Sequence, residues 1–222
     1  MMQINHCELS DFGAKLLAEY EISGSEIENS YFKGRNRSGF VHYMNTIGLK
    51  TLKLPMVFCG RSAHEIAAAK TRLDAAFLGK NELYMDDGFC YTVMLDDAGE
   101  LTWLSEQLAE CEYTLIGYQH GPLSVTVGNN PYCWSTVPYT DCILESTVSA
   151  TASEYAIGDA IFYNVSQNDV LTMDGINRRV LVNGGPATAA QCEFVRMPFL
   201  VPGKNAIECT DQLTVKYYPV YL

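Results

Sequence analysis

The sequence predicts a mainly β chain of two domains, and three observations predict it. One segment carries a helical apolar period, and the other clear apolar runs alternate with period two or are too short for a helix. In the second half, turn signals recur roughly every 8 to 12 residues, the spacing of a sandwich or jelly roll. A Gly-Pro break at Gln119-His120-Gly121-Pro122 falls between the two regimes. The expected plan is an N-terminal β-sandwich or mixed β domain with one helix over residues 1–120, then an all-β sandwich over 121–222.

The elements follow in chain order. From Tyr20 to Tyr43, strand-like ends flank the middle GRNRSG, which reads either as a long hairpin or as an exposed loop. Thr51 to Cys59 is the first clear strand, and Pro55 inside it predicts a sheet edge or a break. The helix is expected over 62–78. Ser62 and Glu65 form a Ser-x-x-Glu capping box, and Ile66, Ala69, Leu73, Ala76 and Phe77 share one face. Gly79 stands where a C′ glycine belongs. Glu82 to Met85 and Phe89 to Leu95 form a hairpin around Asp86-Asp87-Gly88. Trp103 to Glu110 is ambiguous, and Glu112 to Tyr118 is a strand.

Beyond residue 121 no helix is expected. Short strands are read at 124–127, 142–148, 160–165, 170–173, 180–182, 192–195 and 212–218, separated by turns such as Gly128-Asn129-Asn130-Pro131 and Asn183-Gly184-Gly185-Pro186. Pro202-Gly203-Lys204-Asn205 is the corner feeding the last strand. There Ile207, Leu213, Val215 and Tyr217 alternate, so one face packs on the core. Placed last, this strand is expected to close an open sheet edge, with Pro219 stopping further pairing.

Composition narrows the function classes. Of 222 residues, 48 % are hydrophobic and 18 % charged, which is a globular rather than a disordered balance. The formal net charge is -11, and Lys33-Gly34-Arg35-Asn36-Arg37 is the one cationic concentration. A nucleic-acid binder needs a net basic face, so specific nucleic-acid binding is not expected. The N-terminus shows no basic region followed by an apolar run, so no signal peptide is expected, nor does any stretch reach the ~18 apolar residues of a membrane helix. The eight cysteines are scattered without a CxxC pair, which favours buried free thiols made in a reducing cytoplasm, although the even count permits disulfides.

The motifs of chemistry are missing. His64-Glu65 lacks the second histidine of a zinc-protease helix, since position 68 is alanine, and His6, His42, His64 and His120 show no metal-ligand spacing. There is no nucleophile elbow, P-loop or dinucleotide fingerprint. Asp86-Asp87 and Asp96-Asp97 are paired carboxylates, but beside glycine or alanine at hairpin ends they read as turn formers rather than glycosidase acids. No catalytic, cofactor-binding or metal residue is therefore assigned. Tyr132, Trp134, Tyr139, Tyr155 and Tyr163 offer stacking faces for sugar rings, or else pack in and around a sandwich core as Phe162 does.

The order of pieces resembles the distal tail proteins of phages with long non-contractile tails. The similarity rests on LTMDG at 171–175, VNGG at 182–185, MPFLVPGKNAI at 197–207 and LTVKYYPVYL at 213–222. The strand, helix and hairpin of LKLPMVFCGRSAHEIAAAKTRLDAAFLGKNELYMDDGFCYTV match the family's order as well. The resemblance implies a non-enzymatic virion protein at the tail tip, made in the host cytoplasm. It implies a homo-oligomer, a hexameric ring built by the N-terminal domain between the tail tube protein and the tail-associated tip protein or receptor-binding protein. It also implies a galectin-like C-terminal domain that points outward. That domain is compact here, with no room for an inserted sugar-binding module, so docking of another protein is expected ahead of direct receptor binding. Ring contacts need reach and exposed edges, which the Tyr20 to Tyr43 segment would supply. Glu and Asp of the N-terminal half are expected to line a channel that passes DNA without holding it. The alternative is a carbohydrate-binding β-sandwich that contacts host surface glycans through Trp134 and the tyrosines.

Overall fold

The structure, a computed structural model, describes residues 2–17, 19–33, 35 and 39–222. It is mainly β, with one α-helix and one short 3₁₀ turn at Leu9–Phe12 among the described residues. The chain divides into two compact units, residues 1–120 together with Leu222, and residues 121–221.

The first unit is organised on two long antiparallel strands, Lys50–Cys59 and Leu108–His120, in register from Lys50 opposite Gly117 to Cys59 opposite Leu108. Leu52, Leu54, Met56 and Phe58 alternate inward on the first, and Ala109, Cys111, Tyr113 and Leu115 on the second. Cys90–Asp97 and Asn81–Tyr84 extend the sheet on one side, ending in the short strands Gln3–Ile4 and Cys7–Glu8. Lys50–Cys59 is neither broken nor at the edge, contrary to the expectation from Pro55. Its outer side carries two short strands, Ala14–Leu16 and Glu21–Ile22. Pro55 falls in the gap between them, with its carbonyl accepting from Leu17 N–H at 2.9 Å. A residue with no N–H to offer is tolerated where the ladder is already interrupted. The N-terminal strands of two or three residues were too short to show a period in the sequence.

The helix runs Ala63–Ala76 with Ser62 as its N-cap. Ser62 Oγ accepts from Glu65 N–H at 3.4 Å, while the Glu65 carboxylate reaches past the N-cap and accepts from Arg61 N–H at 2.6 Å. Ile66, Ala69, Leu73 and Phe77 are buried, whereas Ala76 is half-buried. Gly79 adopts φ +82° just past the end. Two ties the sequence did not reveal hold the helix. Asp74 accepts from the Tyr113 hydroxyl at 2.6 Å and pairs with Lys70 at 2.9 Å. Buried Asn81 donates to the carbonyls of Phe77 and Gly79 at 3.0 and 3.1 Å, which satisfies the orphan acceptors of the helix C-terminus.

The second unit is a β-sandwich. One sheet runs Ser124–Val127, Leu213–Tyr217, Thr140–Thr147, Val170–Asp174, Arg179–Val182, Gly185–Pro186. A three-stranded sheet, Ala152–Ile157, Ala160–Val165, Cys192–Phe194, contributes Tyr155, Ile157, Phe162 and Cys192 to the same core. The Ala152–Ile157 strand escaped the sequence reading because only Tyr155 and Ile157 of its six residues are buried. Leu213, Val215 and Tyr217 are fully buried, as their alternation predicts. The strand that carries them is interior, however, paired on both sides, and Ser124–Val127 forms the edge. Pro219 does not end strand structure either, since Val220–Tyr221 follows. Asn129, in the Gly128-Asn129-Asn130-Pro131 turn, holds the approach to Leu213. Its Nδ2 donates to the Cys209 and Asp211 carbonyls and its Oδ1 accepts from Leu213 N–H.

Candidate interaction surfaces

The groups considered for chemistry are absorbed into local structure. Asp87 accepts from Phe89 N–H at 2.9 Å and from the Tyr91 hydroxyl at 2.6 Å, and Asp97 accepts from Gly99 N–H at 3.1 Å. These are turn-forming contacts, with Gly88 and Gly99 at positive φ. Of the histidines, His120 is buried against Thr92 at 3.1 Å, His6 stacks on Tyr84 and His42 bonds Asn45. No group of three or more metal-ligating side chains is present among the described residues.

All eight cysteines are free, but burial holds only for Cys111, Cys133, Cys142 and Cys192. Cys90 and Cys209 are half-buried, and Cys7 and Cys59 are exposed. Cys59 ends its strand on the outward side of the alternation, so its position in an apolar run did not fix its burial. Burial pushes the Cys142 thiol up to about 12, with Asp141 and Cys133 adding to the shift.

The aromatic set divides. Tyr155 is buried, its hydroxyl shared with Ser146 Oγ at 2.8 Å and Asp211 at 2.9 Å, so it is a core residue and offers no stacking face. Phe162 is fully buried. Tyr163 bonds Glu193 at 3.2 Å. Tyr132 and Trp134 are exposed and lie with ring centroids 4.3 Å apart. Tyr139 is exposed and packs edge-on to Phe199, whose ring is also covered by the Arg196 guanidinium at 4.9 Å.

The most distinctive surface is in the first unit. Ile27–Phe32 pairs antiparallel with Val41–Ile47, which resolves the Tyr20 to Tyr43 segment as a hairpin. Of the connecting residues, Gly34, Asn36, Arg37 and Ser38 lie outside the described residues, so the basic run is described only at Lys33 and Arg35. The two strands form a sheet of their own, and their side chains are exposed throughout, Ile47 alone being half-buried. Register and the bulge after Ser30 put Asn29, Tyr31, His42 and Asn45 on one face, where with Lys33 and Phe40 they line an open hollow of about 690 Å³. Phe32, Val41 and Met44 are each more than half exposed. A two-stranded ribbon is marginally stable alone in water, and this one leaves its apolar side chains uncovered.

No family model and no curated protein matches the sequence. The fold, by contrast, matches the crystal structure of the Dit protein of phage SPP1, described as a paradigm of hub adsorption apparatus in phages that infect Gram-positive bacteria. The TM-score is 0.73 at 13 % identity, over 100 % of this chain and 98 % of that one. The chain has the fold of a phage Dit protein. A chain of the phage P2 baseplate, in its activated conformation with calcium, aligns at TM-score 0.52 and 10 % identity, over 96 % of this chain and 92 % of that one. The resemblance carried by LTMDG, VNGG, MPFLVPGKNAI and the final strand therefore stands at the level of fold. The Dit fold spans both units here.

Proposed function

We propose that the protein is a structural component of a phage tail tip, a homo-oligomeric ring that joins the tail tube to the tip or receptor-binding apparatus. The observation that carries this reading is the Ile27–Phe32 and Val41–Ile47 hairpin, two-stranded and exposed on both faces, on a chain with the Dit fold. Closed rings use heterologous contacts, in which one surface of each copy engages a different surface of the next, and a projecting hairpin supplies one such surface. The ring is hexameric, as the family resemblance implies, with the tail tube protein and a tip protein as its axial neighbours and with the galectin-like second unit turned outward. Its place is the virion tail tip, and its role needs no catalysis. Carboxylates of the first unit that do not face a neighbour line the channel, consistent with the net charge of -11. Light scattering with electron microscopy of the purified protein tests the reading. Rings of about 150 kDa are expected from the 24.7 kDa chain. A monomer at every concentration contradicts the ring, and a basic lumen contradicts the assignment of the carboxylates.

A second reading has one observation in its favour, the exposed Tyr132 and Trp134 pair on the second unit. Aromatic faces of this kind stack on sugar rings. In this reading the second unit binds host surface glycans, and Trp134→Ala abolishes glycan-array binding without unfolding the protein. A wild type that binds no glycan removes it.

A further inference from the structure

The ring reading names the surface that reaches but not the surface that receives. A candidate lies on the same unit. Thr102–Ser105 pairs with Leu108–His120 from Thr102 opposite Glu110 to Ser105 opposite Leu108, and it has no other ladder partner among the described residues. All four of its residues are exposed, Trp103 at 45 % and Leu104 at 54 %. An open edge with uncovered apolar side chains is the template to which another strand adds, unless charge or proline blunts it. Here the blunting charge has one sign. Glu100 and Glu106 flank the strand and are exposed, Glu110 stands opposite Thr102, and no lysine or arginine occurs between Asn81 and Asn177.

The hairpin carries the opposite chemistry. Each of its strands has one unpaired edge among the described residues, its exposed side chains include the aromatic or apolar Ile27, Tyr31, Phe32, Val41, Tyr43 and Met44, and Lys33 and Arg35 are exposed at its end. We infer that the hairpin of one copy adds as a strand to the Thr102–Ser105 edge of the next copy, with Lys33 and Arg35 against Glu100 and Glu106. The occupant is a second copy of this chain because that copy supplies both halves of the match: a two-edged ribbon with exposed aromatic and apolar side chains for an edge that exposes Trp103 and Leu104, and cations for carboxylates. Two such contacts never share a surface, so they propagate head to tail and close only as a ring. The inference rests on the ring reading and adds to it the identity of the receiving edge.

The test uses the full chain in three forms, wild type, Lys33→Glu with Arg35→Glu, and Glu100→Lys with Glu106→Lys. All four side-chain exchanges lie on exposed residues, and circular dichroism confirms that each form is folded. Wild type forms rings, and each double variant alone is monomeric by light scattering. Mixed in equal amounts, the variants form rings again, because every contact between the two sets cations against carboxylates, in the wild-type sense at one interface and reversed at the next. In a Trp134→Phe background, Trp103 emission shifts to the blue as wild-type rings form, and it stays red-shifted in either variant. Rings formed by the Glu100→Lys, Glu106→Lys protein overturn the receiving edge while leaving the ring reading in place. A wild type that stays monomeric overturns both.

Discussion

Removing the Tyr217 hydroxyl tests how the Leu213–Tyr217 strand holds the second unit together. Tyr217 is fully buried, and its hydroxyl donates to the Tyr132 carbonyl at 2.9 Å and accepts from Trp134 N–H at 3.1 Å. It thereby fastens Leu213–Tyr217 to the short strand Tyr132–Cys133, which pairs only with Gly203–Lys204 among the described residues. Tyr217→Phe keeps the ring and leaves two backbone groups unpartnered. Both belong to residues whose side chains are exposed, so water recovers part of the loss, and the cost is about 1 kcal/mol for each group, or about 2 kcal/mol in all. For a unit of this size that lowers Tm by about 8–16 °C. The chain has two tryptophans, Trp103 in the first unit and Trp134 in the second. In a Trp103→Phe background, emission therefore reports the second unit alone, from the residue whose N–H is released. A shift under about 2 °C refutes the assignment of the hydroxyl as a structural clasp.

Three further outcomes follow from the same contacts. Ser62→Ala removes the helix N-cap acceptor and costs about 1 kcal/mol, read from Trp103 unfolding in a Trp134→Phe background, with Trp134 unfolding unchanged in a Trp103→Phe background. Gly117→Ala places a methyl 2.2 Å from the Thr92 carbonyl oxygen, across the ladder at the centre of the first sheet, and costs about 1–3 kcal/mol of that unit's stability as the strands shift apart. The third outcome concerns pH. Burial works to raise the Asp174 carboxyl, but hydrogen bonds from Asn177 and the Arg179 guanidinium at 2.9 Å outweigh it and hold it below the ordinary carboxylate value. The unfolded chain then binds a proton that the folded chain refuses. Asp174 thus contributes stability above about pH 4, which is lost as pH falls through its depressed folded value. Denaturant midpoints of the second unit fall across that window, and Asp174→Asn flattens the slope.

How much of this was legible in the sequence depends on whether a feature is local. The helix was legible because Ser62, Glu65 and the Ile66, Ala69, Leu73, Phe77 spacing all lie within a few turns. The inward alternation of Leu213, Val215 and Tyr217 was legible for the same reason, since period two is a property of the strand alone. The strand's place inside its sheet was not, because that is decided by Ser124–Val127, nearly ninety residues away in sequence. Pro55 misled similarly, its tolerance being set by a gap between two partner strands that show no pattern of their own. For Tyr155 the sequence left a stacking face and core packing both open, and its burial, with Ser146 and Asp211 at its hydroxyl, decides for the core. The hairpin's existence was half legible, since alternation was present. Its full exposure was not, because aromatic and apolar residues normally signal burial, and here nothing among the described residues covers them.

The central claim is that this chain builds a closed ring through its exposed hairpin. Native mass spectrometry of the purified 222-residue chain tests it most directly. The account predicts a hexamer as the dominant species, converted to single chains by Lys33→Glu with Arg35→Glu. A wild-type spectrum holding only the 24.7 kDa chain, or a hexamer untouched by those substitutions, contradicts it.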